Sequence, residues 1–209
     1  MDENLTEIVC VLDKSGSMEM VREDSIGSFN QFINDQKEVP GKAKFNLTLF
    51  DTTYQYLYTG EDIQNVKELN KSTYAPGGMT ALMDAVGKTI DEIGKRLVNT
   101  LDSERPGKVI FVILTDGQEN SSREYTFDII KDKIEHQKDK YKWEFLFLGA
   151  GEDTIKQASQ IGIGMDKTMS FAQSAKGYDL ASKSYSSAVT NYRNMGNVGD
   201  NWKKAEEDS

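Results

Sequence analysis

Short apolar runs alternate along the chain with longer segments in which apolar residues recur every three or four positions. Six segments have a strand pattern: 8–12, 44–50, 54–58, 108–114, 142–148 and 168–171. The runs 8–12 and 109–114 are continuously apolar, which indicates strands that are covered on both faces, as in a parallel sheet. The segments 44–50 and 54–58 alternate apolar and polar residues, which predicts a hairpin at a sheet edge.

Helical spacing of apolar residues predicts helices over 19–37, 62–69, 80–101, 126–138, 153–160 and 175–195. Between them, Pro76-Gly77-Gly78 indicates that 70–79 is a loop. Because strands and helices alternate along the chain, we predict an α/β fold with a mostly parallel sheet. We expect residues 4–195 to form one domain and residues 196–209 to form a polar C-terminal tail.

The 209 residues include 25 basic and 34 acidic side chains, which gives a formal net charge of −9. This balance argues against nucleic acid and against anionic membranes as partners, because both require a basic surface. Cys10 is the one cysteine, so we expect neither an intrachain disulfide nor a zinc site made of thiolates. We find no apolar signal segment at the start and no apolar run near the ~18 residues of a membrane span, and therefore predict a cytoplasmic protein.

Oxygen-bearing side chains follow two of the predicted strands and begin the longest predicted helix. They are Asp13, Ser15, Ser17, Thr80 and Asp116. Alternate residues of an extended loop point to the same side, and Gly16 allows a tight turn between the two serines. Ligands of parallel sheets bind at the carboxyl ends of the strands. We therefore predict that these five residues form one metal site.

The absence of histidine and thiolate from this set favours Mg²⁺, with Mn²⁺ or Ca²⁺ as alternatives, over zinc or copper. Two carboxylates balance one divalent ion, and three hydroxyl ligands leave a coordination position for a carboxylate from another molecule. We therefore expect the site to capture an Asp or Glu of a protein partner. Met18, Met79, Gln118 and Glu119 are predicted to contact that partner at the rim. An equally simple alternative is that the two methionines are buried anchors of their loops.

Three segments resemble the von Willebrand factor type A domain and its metal-ion-dependent adhesion site. They are Asp13-Lys14-Ser15-Gly16-Ser17-Met18, Gly77-Gly78-Met79-Thr80-Ala81-Leu82 and Leu114-Thr115-Asp116-Gly117. The resemblance covers nearly the whole chain. It implies a doubly wound, six-stranded, Rossmann-like sheet with one antiparallel edge strand and helices on both faces.

The resemblance also implies roles for the metal site. Ser15, Ser17 and Thr80 would contact Mg²⁺, directly or after a shift between states, while Asp13 and Asp116 would hold it partly through waters. The usual roles of the family are metal-dependent protein binding and assembly, sometimes beside an ATPase. The chain looks most similar to the compact, stand-alone members of bacteria and their phages.

Two other functions would use the same site. One is a Mg²⁺-dependent phosphoryl-transfer or hydrolytic enzyme, which would need a base and a cationic clamp. Lys14 and Arg123 are the nearby basic residues and no base accompanies them, so we do not expect an enzyme. The other is a scaffold subunit of an ATPase machine, which the sequence does not separate from a binding module. In the simplest structural alternative, Ser17 and Thr80 only cap helices.

The only histidine and the last predicted helix are two further candidates for function. His136, the only histidine, lies nine positions after Phe127 and is predicted to face solvent on the other side of its helix. The last predicted helix has a stripe of residues at alternating spacings of three and four: Tyr178, Ala181, Tyr185, Ala188, Tyr192 and Met195. We predict that this stripe packs on the sheet rather than on a second copy, and hence that the protein is a monomer.

Overall fold

The computed structural model describes residues 1–151 and 153–203. Its six strands form one sheet in the order β3-β2-β1-β4-β5-β6. The strands are β1 (Asp2–Asp13), β2 (Lys42–Phe50), β3 (Tyr54–Asp62), β4 (Pro106–Thr115), β5 (Glu144–Ala150) and β6 (Thr168–Phe171). The pairing of β2 with β3 is antiparallel and the other four described pairings are parallel. The prediction of a mostly parallel sheet with one antiparallel edge strand is confirmed.

Within the described residues, five α-helices cover the sheet on both faces. They are α1 (Arg22–Glu38), α2 (Leu82–Val98), α3 (Phe127–Tyr141), α4 (Thr154–Gln160) and α5 (Ala175–Met195). The side chains of β1 alternate between two cores: Ile8 belongs to the core under α1 and α5, whereas Val9 belongs to the core under α2, α3 and α4. This two-sided burial explains the continuous apolar run in β1.

The stripe on α5 packs inside the domain, as predicted. Tyr178, Tyr185 and Tyr192 are buried, and the Tyr192 hydroxyl donates to the backbone oxygen of Val109 at 3.0 Å. Met195, the last residue of the stripe, is exposed. This hydrogen bond to β4 satisfies the phenolic hydroxyl of Tyr192, although the side chain is buried. Cys10 is likewise buried in the core of the sheet.

The helix predicted over 62–69 is wrong. Strand β3 continues to Asp62, a single 3₁₀ turn follows, and the chain then runs on without helical structure. The apolar spacing that suggested a helix belongs to Ile63, Val66 and Leu69. Each of these side chains packs against the core from an irregular segment. Side chains of α1 satisfy this backbone instead, since Asn30 bonds both the N–H and the carbonyl of Leu69.

Several other boundaries differ from the prediction, and those of β1 and α2 matter most for the candidate site. Strand β1 begins at Asp2, well before the apolar run, because its first N–H donates to the backbone oxygen of Arg105 at 2.8 Å. Helix α2 begins at Leu82 and ends at Val98, so Thr80 lies in the loop before it. No helix in the described part of the chain is long and apolar enough to cross a membrane.

Part of the predicted polar tail packs against the domain. Val198 and Trp202 are buried, and the Trp202 indole N–H donates to the backbone oxygen of Asp166 at 2.9 Å. The prediction of a tail is therefore wrong for these positions, where two apolar side chains among polar neighbours complete the core beside α5. Residues 204–209 lie outside the described residues.

We expect Trp202→Ala to lower the free energy of unfolding by about 3 kcal/mol, because it empties a buried aromatic site and removes a hydrogen bond. Trp202 is 3% exposed. Chemical denaturation measures the change. The control is Leu101→Ala, which removes a side chain that is 67% exposed and should change the free energy by less than about 0.5 kcal/mol. Equal effects of the two substitutions would contradict the packing of this segment.

Candidate metal site

The candidate site lies where two neighbouring strands end. In the parallel pairing of β1 with β4, Leu12 stands opposite Leu114. Asp13 ends β1, and Asp116 follows the last residue of β4. The sequence therefore places both carboxylates at the same edge of the sheet, with the loop of Ser15 and Ser17 directly after the first of them.

Asp13 is fully buried and is held by two donors. Its Oδ1 accepts the backbone N–H of Ser15 at 2.7 Å, and its Oδ2 accepts the hydroxyl of Thr115 at 2.6 Å. Burial raises the pKa of Asp13 to about 6, although these hydrogen bonds act in the opposite direction. The first bond fixes the loop that presents the serines, and the second ties β1 to β4.

Hydroxyl and carboxylate oxygens converge next to Asp13. The Ser15 and Ser17 hydroxyl oxygens lie 3.1 Å apart, and the Ser17 hydroxyl donates to Oδ1 of Asp116 at 2.6 Å. Burial raises the pKa of Asp116, while the bond from Ser17 lowers it. Three of the five predicted ligands thus form one chain of contacts.

Thr80 packs closely against Gly117, the residue that follows Asp116. Its hydroxyl oxygen lies 2.9 Å from the point that a Cβ on Gly117 would occupy, so a side chain there would displace it. Asn120 fixes the threonine backbone from both sides: its side-chain oxygen accepts the Thr80 N–H at 2.9 Å, and its own N–H donates to the Thr80 carbonyl at 3.0 Å. The structure therefore brings the fifth predicted residue beside Asp116.

Helix capping does not explain these hydroxyls. The N-terminal N–H groups of α2 are bonded by the loop after β4, since Met83 donates to the Glu119 carboxylate at 2.9 Å and Asp84 donates to the Ser122 hydroxyl at 3.0 Å. The Ser17 hydroxyl bonds Asp116 instead of a helix N-terminus. The hydroxyls of Ser17 and Thr80 are thus not used as helix caps.

The four residues predicted for the rim differ in their exposure. Met18 is 2% exposed and its sulfur accepts the Tyr178 hydroxyl at 3.3 Å, so it is a buried anchor and the prediction of a partner contact is wrong. Met79 is 51% exposed, and Gln118 is exposed with its amide bonded to Asp153. Glu119 is turned inward, because its carboxylate also accepts both the N–H and the hydroxyl of Ser122.

The sequence alone did not predict the contact of Gln173 with the site. The Gln173 amide donates to Oδ2 of Asp116 at 2.6 Å. Gln173 follows the end of β6, so the rule that ligands gather at strand ends could have indicated it, but no motif marks it.

Lys14 is engaged by an acidic partner. Its ammonium pairs with the Asp51 carboxylate. Burial alone would raise the pKa of Asp51, but the bond from Lys14 holds it below its usual value. The Arg123 side chain is exposed, and its backbone N–H donates to Asp84 at 2.8 Å beside α2. Of the two basic residues considered for a phosphate clamp, Lys14 is already paired.

The chemistry of these groups fits a hard divalent ion. Hydroxyls outnumber carboxylates, which agrees with the finding that no cluster of three or more His, Cys, Asp or Glu side chains suited to a metal occurs in 1–151 and 153–203. A site of this kind would hold such an ion through serine and threonine oxygens, with the carboxylates close by as balancing charges.

Solved structures with the same fold have low sequence identity to this chain. Proximal thread matrix protein 1 from the mussel byssus has a TM-score of 0.63 at 14% identity, over 88% of this chain and 46% of that one. The ArnB paralog VWA2 from Sulfolobus acidocaldarius has a TM-score of 0.58 at 18% identity, over 89% and 45%. The mussel protein is also described with a zinc-occupied MIDAS motif, with a TM-score of 0.56 at 15% identity, over 87% and 47%.

The chain spans less than half the length of these structural relatives. A search of curated proteins found no matching sequence. The family model for the von Willebrand factor type A domain matches residues 7–182, which include the whole of the candidate site and most of the sheet. Domains of this family often depend on a metal and bind proteins. The chain belongs to the von Willebrand factor type A domain family.

Proposed function

We propose that this protein binds a partner protein through a divalent ion at an intact adhesion site. The ligands would be Asp13, Ser15, Ser17, Thr80 and Asp116. The observation that supports this most directly is the contact chain from Ser15 through Ser17 to Asp116, with separations of 3.1 and 2.6 Å. Such spacing lets several oxygens reach one small cation.

The partner would supply a carboxylate to the ion. If hydroxyls provide most of the direct bonds, little negative charge reaches the metal, and it remains strongly attractive to an anion. Asp13 is held by Ser15 and Thr115, which favours a role in balancing charge and shaping the loop. An Asp or Glu of the partner would then complete the coordination.

We propose Mg²⁺ as the ion, with Mn²⁺ or Ca²⁺ as acceptable substitutes, because all donors are hard oxygens. Members of the family commonly bind a divalent metal at this site. The zinc-occupied structure shows that one relative accepts a different ion. A titration with each metal would rank them for this chain.

We propose binding without turnover. The only histidine, His136, lies on α3 and lines a pocket near the start of β4, away from the end of that strand where Asp116 lies. Lys14, which a phosphate clamp would use, is paired with Asp51. Met79 and Gln118 are the exposed rim residues that would contact the partner. Assignment to the stand-alone bacterial or phage type, a monomeric state and a cytoplasmic location stay predictions.

We expect Asp13→Asn to weaken Mg²⁺ binding more than about tenfold, because it removes one of two balancing charges. Calorimetric titration with MgCl₂ measures the affinity, and denaturation in chelator verifies folding. The control is Asp132→Asn, an exposed α3 residue with the same change of charge, which should keep wild-type affinity. Unchanged Mg²⁺ affinity in the folded Asp13 variant would rule out this site.

Partner capture should depend on both the metal and the site. In a pull-down from native lysate, we expect a protein that is retained by the wild type and by Asp132→Asn in Mg²⁺. The same protein should be lost in chelator and with Asp13→Asn. Mass spectrometry identifies it, and Asp→Asn or Glu→Gln changes in that partner should locate the carboxylate. Capture that ignores both chelator and substitution would contradict metal-dependent adhesion.

A further inference from the structure

A second concave surface lies near the amino ends of the strands, away from the candidate metal site. It is a pocket of about 420 Å³ between the last turns of α2 and α3, where β4 and β5 begin. Its volume falls within the range of about 300–1,000 Å³ that is usual for ligand pockets. None of the proposed metal ligands lines it.

The deep part of this pocket is apolar. Ile90 and Leu97 of α2, Val109 of β4 and Trp143 before β5 all line it and are all buried. These side chains belong to the core between the sheet and the helices α2 and α3. A rigid apolar floor of this kind can accept a large apolar side chain without rearranging.

The apolar lining continues into the outer part of the pocket, which is open to solvent. Val98 is 69% exposed at the end of α2, and Tyr141 is half exposed at the end of α3. Leu101 is also exposed and follows in the connection from α2 to β4. A small molecule in the deep part of the pocket would leave these exposed side chains in water, whereas a peptide segment would cover both parts. The continuation therefore favours a macromolecular occupant.

The edge of the pocket is cationic, in contrast to the acidic chain as a whole. Four basic side chains line it, and the one acidic side chain among the described lining residues is Asp91. Asp91 is already bonded to Lys133 and Tyr125. The basic residues are Lys95, Arg105, Lys140 and Lys142.

Three of these four cations have no carboxylate partner among the described residues, and one of the three, Lys142, donates to the backbone oxygen of Asp139 at 2.8 Å. Among the described residues, neither Lys95 nor Lys140 pairs with a carboxylate, and the Lys140 ammonium lies 5.5 Å from the centre of the Tyr141 ring. Arg105, in contrast, pairs with Asp102 at 3.0 Å. Cations in the last turn of a helix are favoured by the helix dipole without any ligand, so their charge alone would indicate nothing. Here the unpaired cations stand at the mouth of an apolar cavity.

We propose that this pocket docks a segment of a partner protein in which large apolar side chains are flanked by carboxylates. The apolar side chain would fill the cavity against Val109 and Trp143. The carboxylates would pair with Lys95 and Lys140, which supplies the charge complementarity that positions such a segment. This surface is separate from the metal site and requires no ion.

The protein offers a specific reporter for this site. His136 is the only histidine in the chain, lines the pocket, and packs edge-on against Tyr141 with ring centres 5.7 Å apart. Its imidazole signals in an NMR spectrum of ¹³C-histidine-labelled protein therefore come from this pocket alone. The probe is the peptide acetyl-Glu-Asp-Leu-Phe-Asp-Glu-amide, added to the full chain in EDTA so that no metal site can hold its carboxylates.

We expect saturable shifts of the His136 signals with this peptide. Lys95→Glu/Lys140→Glu should weaken its binding at least about tenfold, whereas Lys176→Glu/Lys183→Glu on α5, with the same change of charge, should alter it less than about twofold. Peptides with lysines in place of the acids, or serines in place of Leu-Phe, should not bind. Chemical denaturation verifies that both double variants fold.

Three results would overturn the proposal. They are unchanged His136 signals at saturating peptide, equal binding of the acidic and lysine peptides, or wild-type affinity in Lys95→Glu/Lys140→Glu. Capture that ignores chelator and Asp13→Asn would contradict the metal site without bearing on this pocket, since the peptide titration contains no free metal. Failure of one site is thus distinguishable from failure of the other.

Discussion

The parallel register between β1 and β4 is the constraint on which the candidate site depends. Because Leu12 stands opposite Leu114, the carboxylates that follow leave the sheet side by side. A slip of one residue would turn every side chain of β1 to the opposite face. Both faces of this strand are buried, and each aliphatic side chain that leaves water contributes about 1.5–3 kcal/mol. The two cores therefore hold the register, and the register places the site.

Backbone hydrogen bonds between loops fix the position of the serine loop relative to the loop before α2. Gly16 donates to the carbonyl of Gly78 at 3.1 Å, and Gly77 donates to the carbonyl of Lys14 at 2.9 Å. Gly78 adopts a left-handed backbone conformation, and a Cβ there would lie 2.7 Å from the Thr52 hydroxyl oxygen. These contacts order the serine loop through the protein itself. Less conformational entropy then has to be lost when an ion or a partner arrives.

Most of the architecture could be predicted from the sequence, because strands buried on both faces and amphipathic helices have different periods. Periodicity failed after β3, where Ile63, Val66 and Leu69 have helical spacing but are buried singly along an irregular segment. It also could not decide whether Met18 faces a partner or the core, since methionine suits both. Gln173 escaped notice because its role depends on contacts between loops that are distant in sequence.

The inward carboxylate of Glu119 limits which substitutions this protein can accept during evolution. The same side chain closes its own loop at Ser122 and satisfies the first turn of α2 at Met83, so its replacement would weaken two elements together. Met79, in the loop before α2, is 51% exposed. Substitutions that alter partner recognition at the metal-site edge of the sheet without destabilising the fold are thus restricted to a few exposed positions. The inward side chains of the same loops have to be kept, because they hold the loop conformation.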